Sequence, residues 1–549
     1  MPDATPELAP DLPAARRAVD LAAAVVDAAC TALAARSSVD GRISVDRLDE
    51  HQVLAYDLAH AASAVAGCRV MLDYADQGDY EARLATAFIA DAVWDLAAKV
   101  TTRELEWGAA PGGLGPALAF VTAHRTPAFL DTIAAALPVR GSGPAHLDDD
   151  FDLVRDTFHR FAEDKIRPVA EHVHRENLDI PDAVVDGLAE IGGFGLSVPE
   201  EYGGYALGGE QDYIGMVVAT EELSWGSLGV GGSLITRPEI LTRAIVKGGT
   251  EEQKQRWLPQ IATGERMVGV MATEPDYGSD VAGVKVSATP VDGGYAINGV
   301  KTWATFAGRA NTIMLLARTD PDRNAGHRGL SLFVVDKEPA PGHAFSFAQE
   351  SGGTMEGRAI DTLGYRGMHS YEVAFSDWFV PAENLIGGAG GLGKGFYLQM
   401  EGFENGRLQT AARAVGLMQA AFEAGLAYAQ DRIVFGKPVF DYQLSRAKLA
   451  RMAYLIQAGR QFSYDVAGQM GRGEGTLAAS MVKAYVCRAA EWVTREAMQL
   501  HGGMGYAEEY AVSRYFVDAR VLSIFEGADE TLCLRVIARR LAEDALTST

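Results

Sequence analysis

A single carboxylate between apolar neighbours and a glycine is the first candidate for chemistry in this chain. Glu526 follows Ile524 and Phe525 and precedes Gly527. Apolar surroundings disfavour the charged form of a carboxyl group, so we expect them to raise the pKa of Glu526 towards the working pH of a general base. The adjacent glycine lets a ligand approach the backbone closely. The ordinary alternative is a solvated acid at the start of a helix.

Two further segments carry polar groups that suit a planar, phosphate-bearing ligand. The first leaves a short apolar run at Met271 and passes through Thr273 into a Gly/Ser turn that contains Ser279. Backbone N–H groups and hydroxyls of such a turn can hold a phosphate or the polar edge of a ring. The second places Trp303 and Thr305 two apart, which predicts that they share one face of a strand. An ordinary polar turn and a core aromatic are the default interpretations.

Near the C-terminus, one arginine and one glycine-rich loop complete the set. Arg432 lies in a segment with Gly436 and Pro438, which is also typical of a helix end. A guanidinium is suited to bidentate contacts with phosphate. Residues 499–506, Gln-Leu-His-Gly-Gly-Met-Gly-Tyr, contain three glycines that allow a backbone to pass close to a ligand. Either signal is weak by itself.

The elements that position these residues follow from hydrophobic period. Apolar residues recur at helical spacing before about residue 262, and Thr250 begins a helix there with a hydroxyl cap. Short runs rich in strand formers follow, with tight-turn dipeptides at Asp292-Gly293 and Asn298-Gly299. Helical period returns from Gly391. We predict a mainly α protein with a central antiparallel β domain. Its regions are an N-terminal helical extension (1–138), a linker (139–147), a helical domain (148–264), a β domain (265–388) and a C-terminal four-helix-type domain (389–549).

In this order, the segments resemble the acyl-CoA dehydrogenase family. The matching pieces lie between about residues 150 and 545, and five ordered motifs make a chance match very unlikely. They are Thr-Glu-Pro…Gly-Ser-Asp within 271–280, Lys-x-Trp-x-Thr at 301–305, Arg-x-x-Phe-Gly…Gln at 432–443, Gln-x-x-Gly-Gly-x-Gly-Tyr at 499–506, and aromatic-Glu-Gly at 525–527. The family fold is a helical domain, a β domain and a second helical bundle, which agrees with the changes in period.

The resemblance implies an FAD enzyme that oxidises acyl-CoA thioesters to the trans-2-enoyl form and passes electrons to an electron-transfer flavoprotein. It makes Glu526 the base that takes the α-proton, and it places no metal in the site. Cofactor contacts are implied at matching positions, the last five across a subunit interface, so a homo-oligomer (dimer or tetramer) is expected. These positions are Met271, Thr273, Ser279, Trp303, Thr305, Arg432, Gln443, Gln499, Gly502 and Gly503. Substrate contacts are expected at Arg407 and Gly527.

Some residues depart from the family pattern or compete for the same role. Glu404 and Glu530 are rival bases, but Gly406 occupies the place directly before Arg407 where some relatives carry theirs. Phe306 stands where a small polar residue is common, and Ala528 lacks the usual hydroxyl after Glu-Gly. Residues 345–360 are longer than the usual strand connection, which leaves the alignment there open.

The N-terminal region indicates which subfamily of acyl-CoA dehydrogenases the chain resembles most. Residues 37–60 and the helices after them look like the extension carried by one subfamily, the 2-methylsuccinyl-CoA dehydrogenases of the ethylmalonyl-CoA pathway. This implies oxidation of (2S)-methylsuccinyl-CoA to mesaconyl-CoA. A distal carboxylate needs a buried cation, and Arg237 is our candidate, with a surface arginine before Pro238 as the alternative. A short monocarboxylic acyl-CoA is the alternative substrate. A flavin-dependent monooxygenase on the same fold is the alternative of another class, which the presence of Glu526 disfavours.

Composition sets outer limits on function. The 549 residues carry a formal net charge of −24, which argues against nucleic-acid binding. Any anionic ligand must therefore meet local cations or helix N-termini. Four scattered cysteines predict reduced, mostly buried thiols and a cytoplasmic protein. No apolar run is expected to span a membrane, and residues 1–7 lack the basic and apolar regions of a signal peptide.

Overall fold

Helices make up the N-terminal region of the computed structural model, which describes residues 8–547. A pair of two-residue antiparallel strands, β1 (Ser38–Val39) and β2 (Arg42–Ile43), interrupts them after the first helix. The helices are α1 (Leu12–Ser37), α2 (Val45–Asp49), α3 (Gln52–Ala75), α4 (Asp79–Val100), α5 (Glu104–Trp107), α6 (Leu118–His124), α7 (Pro127–Ala134) and α8 (Leu137–Arg140). The helical extension predicted from the sequence is therefore present. The prediction about a signal peptide concerns residues 1–7, which lie outside the described residues.

Helix α1 corrects one expectation. It begins with the Asp11 side chain accepting from the Ala14 amide, followed by Pro13 in the first turn. Its 26 residues have a mean hydropathy that reaches 1.7 in one window, so by length and composition it could cross a membrane. In the structure 56% of that window is buried inside the protein, and Ala15, Ala29 and Leu33 are fully covered. The helix therefore fits the core of a helical bundle, where an apolar face is also required.

The next helices form the first part of a second group of elements. They are α9 (Asp149–Phe161), α10 (Arg167–Glu176), α11 (Asp182–Glu190), α12 (Glu210–Gly226), α13 (Thr236–Gly248) and α14 (Glu251–Ala262), with a π-helical turn at residues 162–166. The predicted hydroxyl cap of α14 is confirmed. The Thr250 hydroxyl accepts from the Gln253 amide, while the Gln253 side chain accepts from the Thr250 amide.

An eight-stranded sheet follows these helices. Its strands are β3 (Val268–Met271), β4 (Ser287–Val291), β5 (Gly294–Thr305), β6 (Thr312–Arg318), β7 (Leu330–Asp336), β8 (Ala344–Ala348), β9 (Thr354–Ala359) and β10 (Ser370–Pro381). The spatial order is β3-β6-β4-β5-β10-β9-β8, and β7 pairs with β6. Residues 345–360, whose alignment was open, form the β8–β9 hairpin at one edge.

Two sequence predictions about the sheet need correction. The sheet is not purely antiparallel, because β3 runs parallel to β6. Strand β4 also pairs in parallel with β6, through the single residue pair Ser287 and Arg318. The Asp292-Gly293 turn joins β4 to β5 as predicted, but Asn298-Gly299 lies inside β5. Gly299 has φ +128° at an irregularity in the pairing of β5 with β10, so the dipeptide marks a bulge and not a chain reversal.

A long helix then leads into the C-terminal elements. After α15 (Gly395–Asp431) come the short strands β11 (Ile433–Val434) and β12 (Lys437–Pro438), and then helices α16 (Gln443–Gly471), α17 (Thr476–Leu500), α18 (Ala511–Leu522), α19 (Asp529–Thr531) and α20 (Arg539–Thr547). Residues 532–538 between the last two are π-helical.

The chain divides into two compact units. One contains residues 1–148 and 410–549, so the N-terminal helices pack with the C-terminal bundle, and the other contains residues 149–409. The segment predicted as a linker is held within the first unit. The carbonyls of Gly141, Gly143 and Pro144 accept from Tyr80, Gln457 and Tyr74 at 2.8, 2.5 and 2.9 Å. The predicted domain boundaries themselves stay predictions.

Candidate active site

Strand β5 and the end of β3 bring two of the predicted motifs side by side. Met271 ends β3 and is fully buried. The Thr302 amide donates to the Thr273 carbonyl at 2.9 Å, so the segment after β3 continues along β5 next to Trp303. The turn beyond it closes through reciprocal backbone bonds between Glu274 and Tyr277 and leaves Ser279 exposed.

A buried ion pair, which the sequence patterns did not predict, fixes this arrangement. The Lys301 ammonium donates to Glu274 Oε1 at 2.9 Å and to the Ala272 carbonyl at 2.8 Å. Glu274 in turn accepts from the amides of Lys285 and Val286. Burial lowers the pKa of Lys301 to about 8, although the Glu274 charge opposes the shift. Opposite charges inside the two matched motifs were the available signal.

Trp303 does not follow the strand alternation that its spacing to Thr305 predicts. The pairing of β5 with β10 shifts between Tyr371 and Val373, and Trp303 adopts φ +55° there. Its side chain is 55% exposed, whereas Thr305 is 7% exposed and its hydroxyl lies 3.1 Å from that of Ser370. The bulge turns the indole out of the sheet's regular pattern, so spacing alone does not set its direction.

Arg237 is buried, which contradicts the surface alternative. It lies in the first turn of α13 and is 5% exposed. The neighbouring Thr236 hydroxyl donates to Gln409 Oε1 of α15 at 2.6 Å. The two helices approach closely, since a Cβ on Gly402 would lie 2.8 Å from Ile240. Arg407 and the rival base Glu404 are half-buried on the same part of α15.

Glu526 sits in a strained loop of the other compact unit. Its φ is +53°, a left-handed conformation that costs a residue other than glycine about 1–3 kcal/mol. Gly527 follows with φ +99°, and its carbonyl accepts from the buried Lys483 ammonium at 2.5 Å. The fully buried Arg413 guanidinium lies 4.8 Å from the Phe525 ring centre. Glu526 is half-buried, whereas the rival base Glu530 is exposed.

The remaining predicted residues gather on one exposed part of that unit. Helix α15 ends at Asp431, and Arg432 leads directly into the β11–β12 hairpin. The turn residues of this hairpin, Phe435 and Gly436, both have positive φ. Tyr428, one turn before Arg432, stacks on His501 with ring centres 4.2 Å apart. This stack puts the hairpin next to the loop with Gly502 and Gly503. Arg432, Gln443, Gln499, Gly502 and Gly503 are all exposed.

Comparison with protein families identifies the family of this chain. The acyl-CoA dehydrogenase N-terminal, middle and C-terminal domains match residues 148–265, 269–378 and 393–542. This chain belongs to the acyl-CoA dehydrogenase family. It is therefore an oxidoreductase acting on CH–CH groups, and the fold expected from the resemblance is confirmed.

Three similar proteins define the extent of the acyl-CoA dehydrogenase match. The (2S)-methylsuccinyl-CoA dehydrogenase of Cereibacter sphaeroides is 38% identical over 95% of this chain and 96% of its own length. Butyryl-CoA dehydrogenase from Megasphaera elsdenii is 32% identical with a TM-score of 0.64, over 70% of this chain and 97% of its own. A chain in the structure of the electron transferring flavoprotein of Acidaminococcus fermentans is 31% identical, with a TM-score of 0.64 over 72% and 98%.

The acyl-CoA dehydrogenase family is FAD-dependent, and the residues present here fit that cofactor. The 55% exposed indole of Trp303 on the sheet offers a flat apolar face. A Cβ on Gly278, in the adjoining turn, would meet nothing closer than 4.0 Å. Gly502 and Gly503 have open space at their Cα atoms, and Arg432 is exposed beside them. Taken unit by unit, a flat apolar face, open glycine turns and an exposed guanidinium are each suited to a part of a dinucleotide.

One of the two departures from the family pattern has a local explanation. Phe306 is buried with φ +67°, and its amide donates to the carbonyls of Met368 and His369, so its side chain packs in the core of the β domain. Ala528 is the residue before α19 and offers no side-chain cap.

Proposed function

We propose that this protein catalyses the FAD-dependent α,β-dehydrogenation of (2S)-methylsuccinyl-CoA to mesaconyl-CoA. The observation that carries the proposal is the extent of one match. The similarity to the Cereibacter sphaeroides (2S)-methylsuccinyl-CoA dehydrogenase spans 95% of this chain, so it includes most of the N-terminal helices. The butyryl-CoA dehydrogenase chain, matched over 97% of its own length, covers only 70% of this chain.

The proposed mechanism begins at the α-carbon of the acyl chain. One carboxylate oxygen of Glu526 takes the α-proton. The left-handed backbone at Glu526 fixes the direction of its carboxylate, which is the positioning that general-base catalysis needs. The backbone N–H of the same residue donates to the thioester oxygen, where negative charge develops. FAD, when bound, supplies the acceptor for the hydride that leaves the β-carbon.

Two arginines serve the substrate in this proposal. Arg407 lies half-buried on α15 and stabilises the developing enolate as a nearby cation. Arg237 pairs with the distal carboxylate that distinguishes methylsuccinyl-CoA from butyryl-CoA. Its burial is compatible with this role, because the guanidinium lies inside the helical unit and not on the surface, and a planar guanidinium suits a carboxylate.

We also propose that the enzyme works as a homo-oligomer. Apolar side chains beside Arg432 are exposed to an extent that is unusual for a monomer: Phe435 is 96%, Tyr506 84% and Leu444 69% exposed. An exposed set of cofactor residues next to an apolar surface supports a shared site with a second copy.

The electron acceptor and location complete the proposal. An electron-transfer flavoprotein as acceptor is supported by the similarity to a chain from the Acidaminococcus fermentans structure. A reducing compartment such as the cytoplasm is supported by the four cysteines, which are all free and buried as predicted.

The deciding experiment compares two substrates on the same preparation. Purified protein should show flavin absorbance, and anaerobic methylsuccinyl-CoA should bleach it faster than butyryl-CoA at equal concentration. We expect kcat/KM to favour methylsuccinyl-CoA by about 30-fold or more, which is the lower end of what a buried charge pair contributes. A preference for butyryl-CoA would replace the dicarboxylate assignment with a short monocarboxylic substrate.

A further inference from the structure

A buried polar cluster joins the N-terminal helices to the segment directly after Glu526. Tyr56 and His60 are one turn apart on α3, and their rings meet edge to face at 4.7 Å. The Tyr56 hydroxyl donates to Asp529 Oδ2 at 2.5 Å, and His60 Nε2 lies 3.1 Å from the same oxygen. Cys533 completes the cluster, with its sulfur 3.4 Å from His60 Nε2.

Asp529 is also the residue that closes the loop carrying Glu526. Its amide donates to the Ser523 carbonyl at 3.0 Å, so the six residues from Ser523 to Ala528 form a closed loop. The Ser523 hydroxyl is held in turn by Glu491 of α17. The loop contains two successive left-handed residues, Glu526 and Gly527, and such backbone persists only where its surroundings hold it.

The loop therefore has one support from the C-terminal bundle and one from the N-terminal region. Lys483 of α17 bonds the Gly527 carbonyl from one side. Tyr56 and His60 hold the Asp529 side chain from the other side. The side chains of His60 and Asp529 are nearly inaccessible to solvent, at 7% and 10% exposed. A buried carboxylate with two partners is expensive to release, because an unpaired charge would remain inside the protein.

We propose that Tyr56 and His60 are positioning residues for the catalytic base, so that the N-terminal region sets the geometry of Glu526 through Asp529. This proposal rests on the proposed function, in which Glu526 removes the α-proton. It gives the N-terminal helices a task in the reaction itself: they replace part of the support that the loop would otherwise need from elsewhere.

The same cluster has the residue types of a metal site, but its geometry indicates hydrogen bonds. Within the described residues, His60, Asp529 and Cys533 offer three ligand atoms within 4.8 Å of one another. However, Asp529 Oδ2 already accepts the Tyr56 proton at 2.5 Å, and burial raises the pKa of the Cys533 thiol, which keeps it protonated. Zinc or another soft cation binds the thiolate. Stoichiometric zinc in the purified enzyme would overturn the hydrogen-bond account.

The test is a double variant, Tyr56→Phe with His60→Leu, which keeps the packing volume and removes both partners of Asp529 Oδ2. The Cys533 thiol, 3.9 Å from Oδ1, remains. We expect kcat to fall about 10²-fold with KM changed less than about threefold, because a base displaced by about 1 Å loses orientation and not substrate affinity. The isotope effect on kcat with α-deuterated acyl-CoA should rise, since proton removal becomes slower relative to other steps. The probe is methylsuccinyl-CoA, or butyryl-CoA if the wild type prefers it.

A second measurement does not depend on turnover. Hydrogen exchange at the amides of residues 524–529 should become about tenfold or more faster in the double variant, while exchange in α3 and α17 stays the same. When His60→Gln replaces His60→Leu in the double variant, part of kcat should be recovered, because the glutamine amide can still donate to Asp529. Equal acceleration throughout the chain would mean general destabilisation and would overturn the positioning role.

A matched control is available on the same surface between these elements. Asp49 pairs with Arg535 at 2.8 Å, so it also joins the N-terminal helices to the C-terminal segment, but it is partly exposed, and its side-chain partners Arg535 and Gln52 lie outside the loop. Asp49→Asn should leave kcat, the isotope effect and local exchange unchanged.

The two possible failures are distinguishable. An unchanged kcat and unchanged exchange at residues 524–529 in the double variant would overturn the inference while leaving Glu526 as the base. Faster local exchange with normal turnover, together with an active Glu526→Gln variant, would instead remove the proposed role of Glu526.

Discussion

The backbone at Glu526 connects conformation to chemistry at the scale of one residue. A left-handed φ at a glutamate is unfavourable. Gly527 follows with φ +99°, and glycine is the only residue type that adopts this angle without strain. Adding a Cβ there would also bring it to 2.9 Å from Leu532. The structure thus keeps a strained carboxylate next to a glycine that cannot be replaced, which is a typical arrangement for a reacting group.

Glu526→Gln should therefore retain the fold and the flavin but lose dehydrogenation. The amide has nearly the same shape and cannot accept the α-proton, so we expect kcat to fall about 10³-fold or more. The rate of anaerobic flavin bleaching measures this directly. Glu530→Gln is the matched control, because Glu530 is four residues away and exposed. Near-normal bleaching by Glu526→Gln would move the base to Glu404 or Glu530.

Arg237 allows a second residue-scale prediction, on substrate choice. Arg237→Met preserves most of the volume and removes the charge, so the distal carboxylate of methylsuccinyl-CoA would lose its buried partner. We expect kcat/KM for methylsuccinyl-CoA to fall by a factor that corresponds to about 2–5 kcal/mol of lost transition-state stabilisation. The effect on butyryl-CoA should be much smaller.

The control for Arg237 lies two turns along the same helix. Arg243 pairs with Glu239 and lies over the Tyr213 ring, so Arg243→Met removes a half-buried cation with a structural partner. It should affect both substrates equally. Equal losses in Arg237→Met would give Arg237 the same structural role.

At the scale of the element, the Lys301–Glu274 pair explains how the end of β3 stays beside β5. Lys301 is fully buried and Glu274 is 5% exposed, and the pair receives three further backbone hydrogen bonds. Together with the Thr302–Thr273 backbone hydrogen bond, it anchors the segment between Ala272 and Val286 to β5. The pair therefore determines where Thr273 and the Ser279 turn begin.

This pair should give the stability of the protein a measurable dependence on pH. Burial lowers the pKa of Lys301 from 10.5 to about 8 in the folded state. Between about pH 8 and 10.5 the unfolded chain therefore holds a proton that the folded chain has released, so this group makes the free energy of unfolding rise with pH. Denaturant titrations at pH 8 and pH 10 should show this rise in the wild type.

Lys301→Met removes both the titration and the partner of Glu274. We expect a loss of about 3–5 kcal/mol at pH 7, because an uncompensated carboxylate remains buried. The difference in unfolding free energy between wild type and variant should widen from pH 8 to pH 10. A constant difference across that range would show that Lys301 keeps its proton when folded.

The limits of sequence reasoning are clearest at the elements around the site. Hydrophobic period was sufficient for the order of helices and strands and for the α14 cap, since these depend on local residues. It failed at Asn298-Gly299 and at Trp303, because a bulge depends on pairing with β10, which is distant in sequence. The Lys301–Glu274 pair and the contacts of Tyr56 and His60 with Asp529 were missed for the same reason: tertiary contacts have no period.

At the scale of the whole molecule, the N-terminal helices pack with the C-terminal bundle and not as a separate domain. The connecting residues 139–147 are bonded into that unit, and α3 reaches the segment after Glu526. A region that looked like an attachment in the sequence is thus part of the unit that holds the proposed base.

The exposed hairpin of the same unit gives the last prediction, about assembly and cofactor retention. Arg432→Ala should purify with a lower flavin-to-protein ratio than the wild type, because it removes a cation assigned to the phosphates of FAD bound by a second copy. Lys437→Ala is the matched control, since Lys437 is an exposed cation of the same hairpin that lies over the Tyr442 ring. Sedimentation of the wild type should show a dimer or a larger assembly. Added FAD should restore activity to Arg432→Ala, as expected if the loss is of affinity and not of fold. A wild type that is monomeric with full flavin, or an Arg432→Ala variant that keeps full flavin occupancy, would exclude a cofactor site shared between subunits.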